Sequence, residues 1–355
     1  MRLRALIVVF ATAVAASCVA FRPVSAEPPR VRVLATGGTI AGAQASATDY
    51  GYKAGAYDVN MLINAVPNLG KLATITGEQV ASIGSQDMND AVWLQLAKRL
   101  NEVLKDGAVD AVLITHGTDT LEETGYFLSL VTKSTKPVVM VGSMRPATAT
   151  SADGPANIYN GVAAAADPGA KGRGVLVSLN DEIHYARNVV KTNTTSLQTF
   201  QSINRGPAGL VNTGKVLWFQ PMDRKLGPAS EFSVDDLEKL PRVDIIYAHA
   251  NMSADLIEAA IKNGAQGIVI AGVGDGNMTA PALEVVAKVA KSGVVVVRST
   301  RLPMGLVLRN NEVDDDKLGT VASGEFNPAK SRVLLQLALT KTKDPVQIQK
   351  MFYEY

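Results

Sequence analysis

Hydroxyl side chains set among glycines recur at two places in this chain, Ala35-Thr36-Gly37-Gly38-Thr39-Ile40-Ala41-Gly42 and Thr115-His116-Gly117-Thr118-Asp119-Thr120. A threonine hydroxyl flanked by small residues can approach a carbonyl carbon while nearby backbone N–H groups stabilise the oxyanion. Other readings compete. Glycine-rich loops also cradle phosphates, but no Gly-Lys-Ser/Thr follows Gly42, and Gly272-Val273-Gly274-Asp275-Gly276 lacks the last step of the dinucleotide fingerprint. Gly37 and Gly38 could simply make a tight turn. In the second stretch, Thr120 and Glu123 are spaced as a capping box, which would explain those two residues and leave Thr118 and Asp119 without a packing duty.

Absent motifs narrow the chemistry. The chain has no G-x-S-x-G elbow and no H-E-x-x-H, and its one cysteine, Cys18, lies near the N-terminus. An acyl-transfer site built from what remains needs threonine as nucleophile, with lysine, tyrosine or a carboxylate to take its proton. The three histidines, His116, His184 and His249, are scattered without metal-ligand spacing, so His116 reads as a hydrogen-bonded structural residue. Neither a metal nor an organic cofactor is expected.

The elements that must position these loops alternate as short apolar strands and amphipathic helices, the pattern of βαβ units with a mostly parallel sheet. Strands are expected at Val31 to Leu34, Val80 to Ile83, Val109 to Thr115, Pro137 to Val141 and Gly174 to Leu179, and a helix on the spacing of Val92, Leu96, Leu100, Val103 and Leu104. Residues 220–241, rich in proline and charge, read as a linker. The alternation then restarts: strands at Val243 to Tyr247, Gly267 to Ala271 and Val294 to Arg298, and helices from Ser253, after Thr279-Ala280-Pro281 with Thr279 as cap, and near Pro328 and Pro345. The fold class is α/β, with a larger N-terminal domain over 27–219 and a smaller α/β domain over 242–355. Ligands of such sheets sit beyond the carboxyl ends of the strands, where Gly84-Ser85-Gln86-Asp87 and the Gly272 to Asn277 loop also lie.

Residues 1–26 read as a signal peptide: Met1-Arg2-Leu3-Arg4, an apolar stretch to Phe21, then small residues Val24 and Ala26 before Glu27. Cleavage there would remove three arginines and no acids, taking Lys+Arg from 35 to 32 against 33 Asp+Glu. A surface so balanced argues against a nucleic-acid partner or a polybasic membrane contact. Export, a periplasmic location and no membrane attachment after cleavage are expected.

Leu34 to Gly42 and Ile114 to Thr124 resemble the two signatures of the bacterial L-asparaginases. Gly84 to Asp90, Pro137 to Gly142, Lys191 to Thr195, Ala271 to Asn277 and Arg332 to Asp344 are similar to the periplasmic type II branch, so the resemblance covers essentially the whole chain after the leader. It implies that Thr39 is the nucleophile, that Tyr52 assists it, and that Thr118, Asp119 and Lys191 form a second catalytic set. Ser85, Gln86 and Asp119 would hold the α-carboxylate and α-amine of L-asparagine. Asn277 and Glu312 would reach the site of a neighbouring subunit in a homotetramer of close dimers. The base for Thr39 stays open: Lys191 could serve only when neutral, which burial favours and an adjacent Asp119 opposes, and Tyr52 or the substrate's own carboxylate could share the work. Two features depart from the family pattern: no cysteine pair follows the leader, and Asp275 stands where asparagine is frequent. The small and polar residues of 43–51 suit a mobile lid. The rivals are a dual glutaminase-asparaginase, whose site would admit one more methylene, and, from another class, a periplasmic amino-acid binding protein.

Overall fold

The computed structural model describes residues 27–46 and 51–355; the expected leader lies outside the described residues, as do residues 47–50 of the expected lid. Eight strands form the first sheet: Arg30–Gly37 (β1), Thr74–Ile83 (β2), Ala111–Thr115 (β3), Val138–Val141 (β4), Val175–Leu179 (β5), Glu182–Tyr185 (β6), Gly209–Asn212 (β7) and Lys215–Trp218 (β8). Their spatial order is β8-β7-β6-β5-β4-β3-β1-β2. β1 to β5 pair in parallel, and β6, β7 and β8 are antiparallel additions. The second sheet is wholly parallel, with Val243–Tyr247 (β9), Gly267–Gly272 (β10), Val295–Thr300 (β11) and Val321–Ala322 (β12) in chain order. The architecture is therefore α/β in both lobes.

Central strands are apolar throughout because helices cover both faces. Val112, Leu113 and Ile114 of β3 are completely buried, with helices Asp90–Lys105 and Leu121–Val131 on one face and Gly154–Ala166 on the other. The edge strand β2 extends six residues further toward the N-terminus than its apolar run Val80 to Ile83 suggests. Its earlier half alternates polar and half-buried residues, with Glu78 gripped by Arg99 and Arg32, so charge rather than hydrophobicity covers this edge.

Two caps differ from expectation. Thr120 and Thr279 do stand at helix N-cap positions, but neither side chain caps. Thr120 Oγ1 donates to the Ser85 carbonyl at 2.8 Å and Thr279 Oγ1 to the Met252 carbonyl at 2.8 Å, so each hydroxyl ties its helix start to a neighbouring loop. Residues 220–241 carry no strand or α-helix, yet they are packed: Phe232, Val234 and Leu240 are buried, and the Phe232 ring lies 4.9 Å from that of Tyr355.

An ionic clamp joins the lobes. Arg187 Nη1 and Arg205 Nε donate to Glu325 Oε2 at 2.7 and 2.8 Å, and Arg187 Nε donates to the Tyr355 carbonyl oxygen. Burial works against the Glu325 carboxylate, but the bonds from Arg205 and Arg187 prevail and hold its pKa at about 2. Since that value lies below the usual carboxylate range, its stabilising contribution is present above about pH 4.5 and fades as pH falls toward 2. Glu325→Ala should cost about 3–5 kcal/mol at pH 7 by urea unfolding, because it strands the buried Arg187 without a counter-charge, and the difference from the parent should shrink below pH 4.

Candidate active site

β1 runs between β2 and β3, with Leu34 opposite Ile114 and Ala35 opposite Thr115, so the loops that follow these strands emerge side by side. They are pressed together at Gly38 and Gly117. Gly38 has φ +81°, and a Cβ there would lie 2.3 Å from the Gly117 Cα and amide nitrogen, so no side chain fits. Thr36 Oγ1 donates to the Thr115 carbonyl at 2.9 Å and Gly38 N to the Ile83 carbonyl at 2.8 Å, which ties the first loop to both neighbours. The turn Thr39–Ala41 then buries Ile40 and Ala41 and leaves Thr39 8% exposed at the surface of the cluster.

The Thr39 hydroxyl lies 2.7 Å from the Tyr52 hydroxyl. Tyr52 is delivered by a short hairpin in which Gln44 pairs with Tyr52 and Ala43 with Lys53. Its ring rests on Gly42, where a Cβ would come within 2.7 Å of Tyr52 Cδ2. Behind them Thr118 is buried, and its Oγ1 accepts from Lys191 Nζ at 3.0 Å; the same ammonium donates to Asp119 Oδ1 at 2.7 Å. Ser85 belongs to the loop after β2, where its Oγ accepts from the Asp119 backbone N–H at 3.1 Å, and Gln86 beside it is exposed. Asp119 and Lys191 line an open cleft of ≈ 390 Å³ with Thr192, Asn193 and Thr194. Another cavity, ≈ 40 Å³, lies at the lobe junction among Arg187, Arg205, Glu325 and Lys330, too small for an amino acid.

Seven of the nine site residues named from the sequence, Thr39, Tyr52, Ser85, Gln86, Thr118, Asp119 and Lys191, thus fall on adjoining loops. Asn277 and Glu312 do not join them. Asn277 Nδ2 donates to Glu312 Oε2, so these two meet each other on the second lobe. Sequence reasoning passed over Thr199 and Phe200, which place Lys191: Lys191 pairs with Phe200, and Thr192 N and Thr192 Oγ1 both donate to the Thr199 carbonyl. Nothing in their spacing marks them, since the two-residue strands they join are too short to show a period.

His116 is structural in its bonding. It is fully buried with Nδ1 2.7 Å from the Gly117 carbonyl, and burial lowers its pKa to about 4 despite that bond. A neutral imidazole in the fold and one of ordinary pKa when unfolded mean that the unfolded chain binds the extra proton, so stability falls with pH from about 6.5 toward 4.

Comparison with known proteins follows the same division into lobes. A family model described as "Asparaginase, N-terminal" matches residues 30–224, and one described as "Glutaminase/Asparaginase C-terminal domain" matches residues 242–352. The chain is 52% identical over 331 residues to the "Probable L-asparaginase periplasmic" of Haemophilus influenzae, covering 93% of this chain and 94% of that protein. It is 51% identical over 344 residues to "L-asparaginase 2" of Escherichia coli strain K12, covering 97% and 98%. A "Glutaminase-asparaginase" of Pseudomonas fluorescens biotype A is 44% identical over 327 residues, covering 92% and 90%. A crystal structure of the "Probable Cytoplasmic L-asparaginase" of Campylobacter jejuni superposes with a TM-score of 0.89 at 45% identity, covering 92% of this chain and 100% of that one.

The buried His116 gives a measurable consequence. Between pH 7 and pH 5 this one group should remove about 2 kcal/mol of unfolding free energy, and His116→Asn should lose less over the same interval. Protonation of the His116 imidazole in the folded protein above pH 6, seen by NMR, would contradict the assignment.

Proposed function

The chain belongs to the asparaginase family, and from that premise we propose that it hydrolyses L-asparagine to L-aspartate and ammonia through an acyl-enzyme on Thr39. The observation that carries the reading is the Thr39 Oγ1 to Tyr52 hydroxyl contact of 2.7 Å beside the Lys191, Thr118 and Asp119 group. Thr39 Oγ attacks the side-chain amide carbon, its proton passes by way of Tyr52 to the departing nitrogen, and ammonia leaves. Water then adds to the ester, its proton returns to Thr39 Oγ, and L-aspartate is released. Backbone N–H groups of the glycine loops bear the negative charge that develops on the carbonyl oxygen. Ser85 and Gln86 hold the α-carboxylate and Asp119 accepts from the α-amine, which suits a substrate carrying a cation and an anion side by side.

Asn277 and Glu312 complete the site of another copy in a homotetramer. Their separation from the Thr39 loops within one chain supports that arrangement. The leader directs the protein to the periplasm, in keeping with the printed name of the Haemophilus relative. Relatives named glutaminase-asparaginase at 42–45% identity support a second reading, in which L-glutamine is also hydrolysed. One methylene is worth only about 1–3 kcal/mol of discrimination. A binding protein of two similar lobes would have no use for two threonine loops in contact.

Purified protein should release ammonia from L-asparagine much faster than from L-glutamine. Thr39→Ala should lose at least about 10³-fold in kcat while remaining folded, and Tyr52→Phe about 10²-fold. Full activity in Thr39→Ala would sink the nucleophile assignment; equal rates on the two amides would place the protein in the dual class.

A further inference from the structure

Two loops of the second lobe carry Asn277 and Glu312, and they are joined by more than that pair. Arg298 of β11 is completely buried beneath them. Its Nε and Nη2 donate to Asp315 Oδ1 and Oδ2 at 2.7 and 2.8 Å, its Nη1 to the Asp275 carbonyl at 2.8 Å, and its Nη2 to the Leu308 carbonyl at 3.1 Å. Asp315 also accepts from Asn310 N at 3.0 Å and Thr320 Oγ1 at 2.6 Å. This buried group fixes both backbones but stops short of the two side chains that face outward.

Asp275 bridges the remaining distance. Its Oδ1 accepts from Leu308 N at 2.8 Å and its Oδ2 from Asn311 Nδ2 at 2.8 Å. Asn311 immediately precedes Glu312, and Asp275 stands two residues before Asn277, so Asp275–Asn311 and Asn277–Glu312 are successive rungs between the same two loops. We infer that Asp275 is a positioning residue: through Asn311 and Leu308 it holds the Glu312 carboxylate where it receives the ammonium of the amino-acid substrate in a neighbouring copy's site. This rests on the reading that Asn277 and Glu312 complete that site. A carboxylate accepts at both oxygens, so it takes the two N–H groups at once; an amide at this position offers one acceptor and bonds Asn311 only after that amide turns over. The substrate ammonium is far from the reacting carbonyl and is held alike before and during reaction, so Asp275 governs KM rather than kcat.

The test is steady-state kinetics on L-asparagine for Asp275→Ala, Asp275→Asn, Asn311→Ala, Glu312→Gln and the double variant Asp275→Ala/Glu312→Gln, with melting temperatures alongside. Asp275→Ala should raise KM about tenfold, the loss of one charge-assisted contact, with kcat within about twofold and Tm close to the parent. Asn311→Ala, which removes the other half of the rung, should follow it, and Asp275→Asn should recover most of the affinity. The double variant should be no worse than Glu312→Gln alone, since Asp275 acts through Glu312. An unchanged KM in Asp275→Ala and Asn311→Ala, with KM raised in Glu312→Gln, overturns the positioning role and leaves the site reading intact. Loss of kcat and Tm together without a KM change in Asp275→Ala reduces the residue to a structural one and likewise overturns it. No effect of Glu312→Gln overturns the shared-site reading and this inference with it. Should Asp275→Ala not fold, Asn311→Ala decides: a KM raised about tenfold supports the positioning role, and an unchanged KM beside a raised one in Glu312→Gln overturns it.

Discussion

Where Gly38 meets Gly117, two backbones pass with no space for a Cβ between them, and the positions of both threonines follow. Thr39 and Thr118 are each the next residue after the contact, so their backbones cannot move apart without separating the glycines. The pairing of Leu34 with Ile114 and Ala35 with Thr115 brings the strand ends level, and the hydrogen bond from Thr36 Oγ1 to the Thr115 carbonyl holds them there. Ser85 enters the same arrangement through its bonds to Asp119 N and Thr120 Oγ1. Loops held by backbone contact on a parallel sheet need little side-chain ordering to keep their geometry, which is the preorganisation an acyl-transfer site requires.

The second lobe meets the same need differently. The chain between β11 and β12 is longer and largely exposed, with Leu302, Met304, Leu306 and Leu308 all at the surface, and backbone bonds tie it down at Arg301 N to the Gly272 carbonyl and Val307 N to the Gly324 carbonyl. Buried charge fixes the rest. An Arg298–Asp315 pair at zero exposure carries a desolvation cost that only complete hydrogen bonding offsets, and here both carboxylate oxygens and all three guanidinium nitrogens have partners. Desolvation acts against the Asp315 carboxylate, yet the bonds from Arg298 and Thr320 keep it below the usual carboxylate range.

Much of this was legible in the sequence, and the exceptions have physical causes. The central strands announced themselves because burial on both faces demands unbroken apolar runs, as in Val112 to Ile114. The antiparallel additions did not: β6, β7 and β8 have four residues each, and their signals are the turn residues Asn180-Asp181 and Thr213-Gly214, all at positive φ as tight two-residue hairpins require. The start of β2 was hidden because Glu78 covers the edge with ion pairs. The capping box at Thr120 failed because a hydroxyl one loop away from a bare carbonyl has a second choice, and tertiary structure offered Ser85. Site residues were legible as a set through family resemblance, which also set Asn277 and Glu312 apart; the geometry places those two together on the second lobe, away from the Thr39 loops.

On the proposed reading, the hydrogen bonds bear on the proton handling that the sequence left open. Lys191 Nζ donates to Thr118 Oγ1 at 3.0 Å and to Asp119 Oδ1 at 2.7 Å, and no hydrogen bond joins it to Thr39. A Thr118 oxygen that accepts from an ammonium turns its own hydrogen elsewhere, and the polarised hydroxyl becomes a better donor toward the cleft. On the proposed reading this makes the two threonines complementary. Thr39, whose hydroxyl is hydrogen-bonded to the phenol of Tyr52, is the one whose proton has somewhere to go. Thr118, backed by a cation, is suited to support negative charge as it builds on the substrate. Two hydroxyls of the same type thus acquire opposite duties from their partners alone.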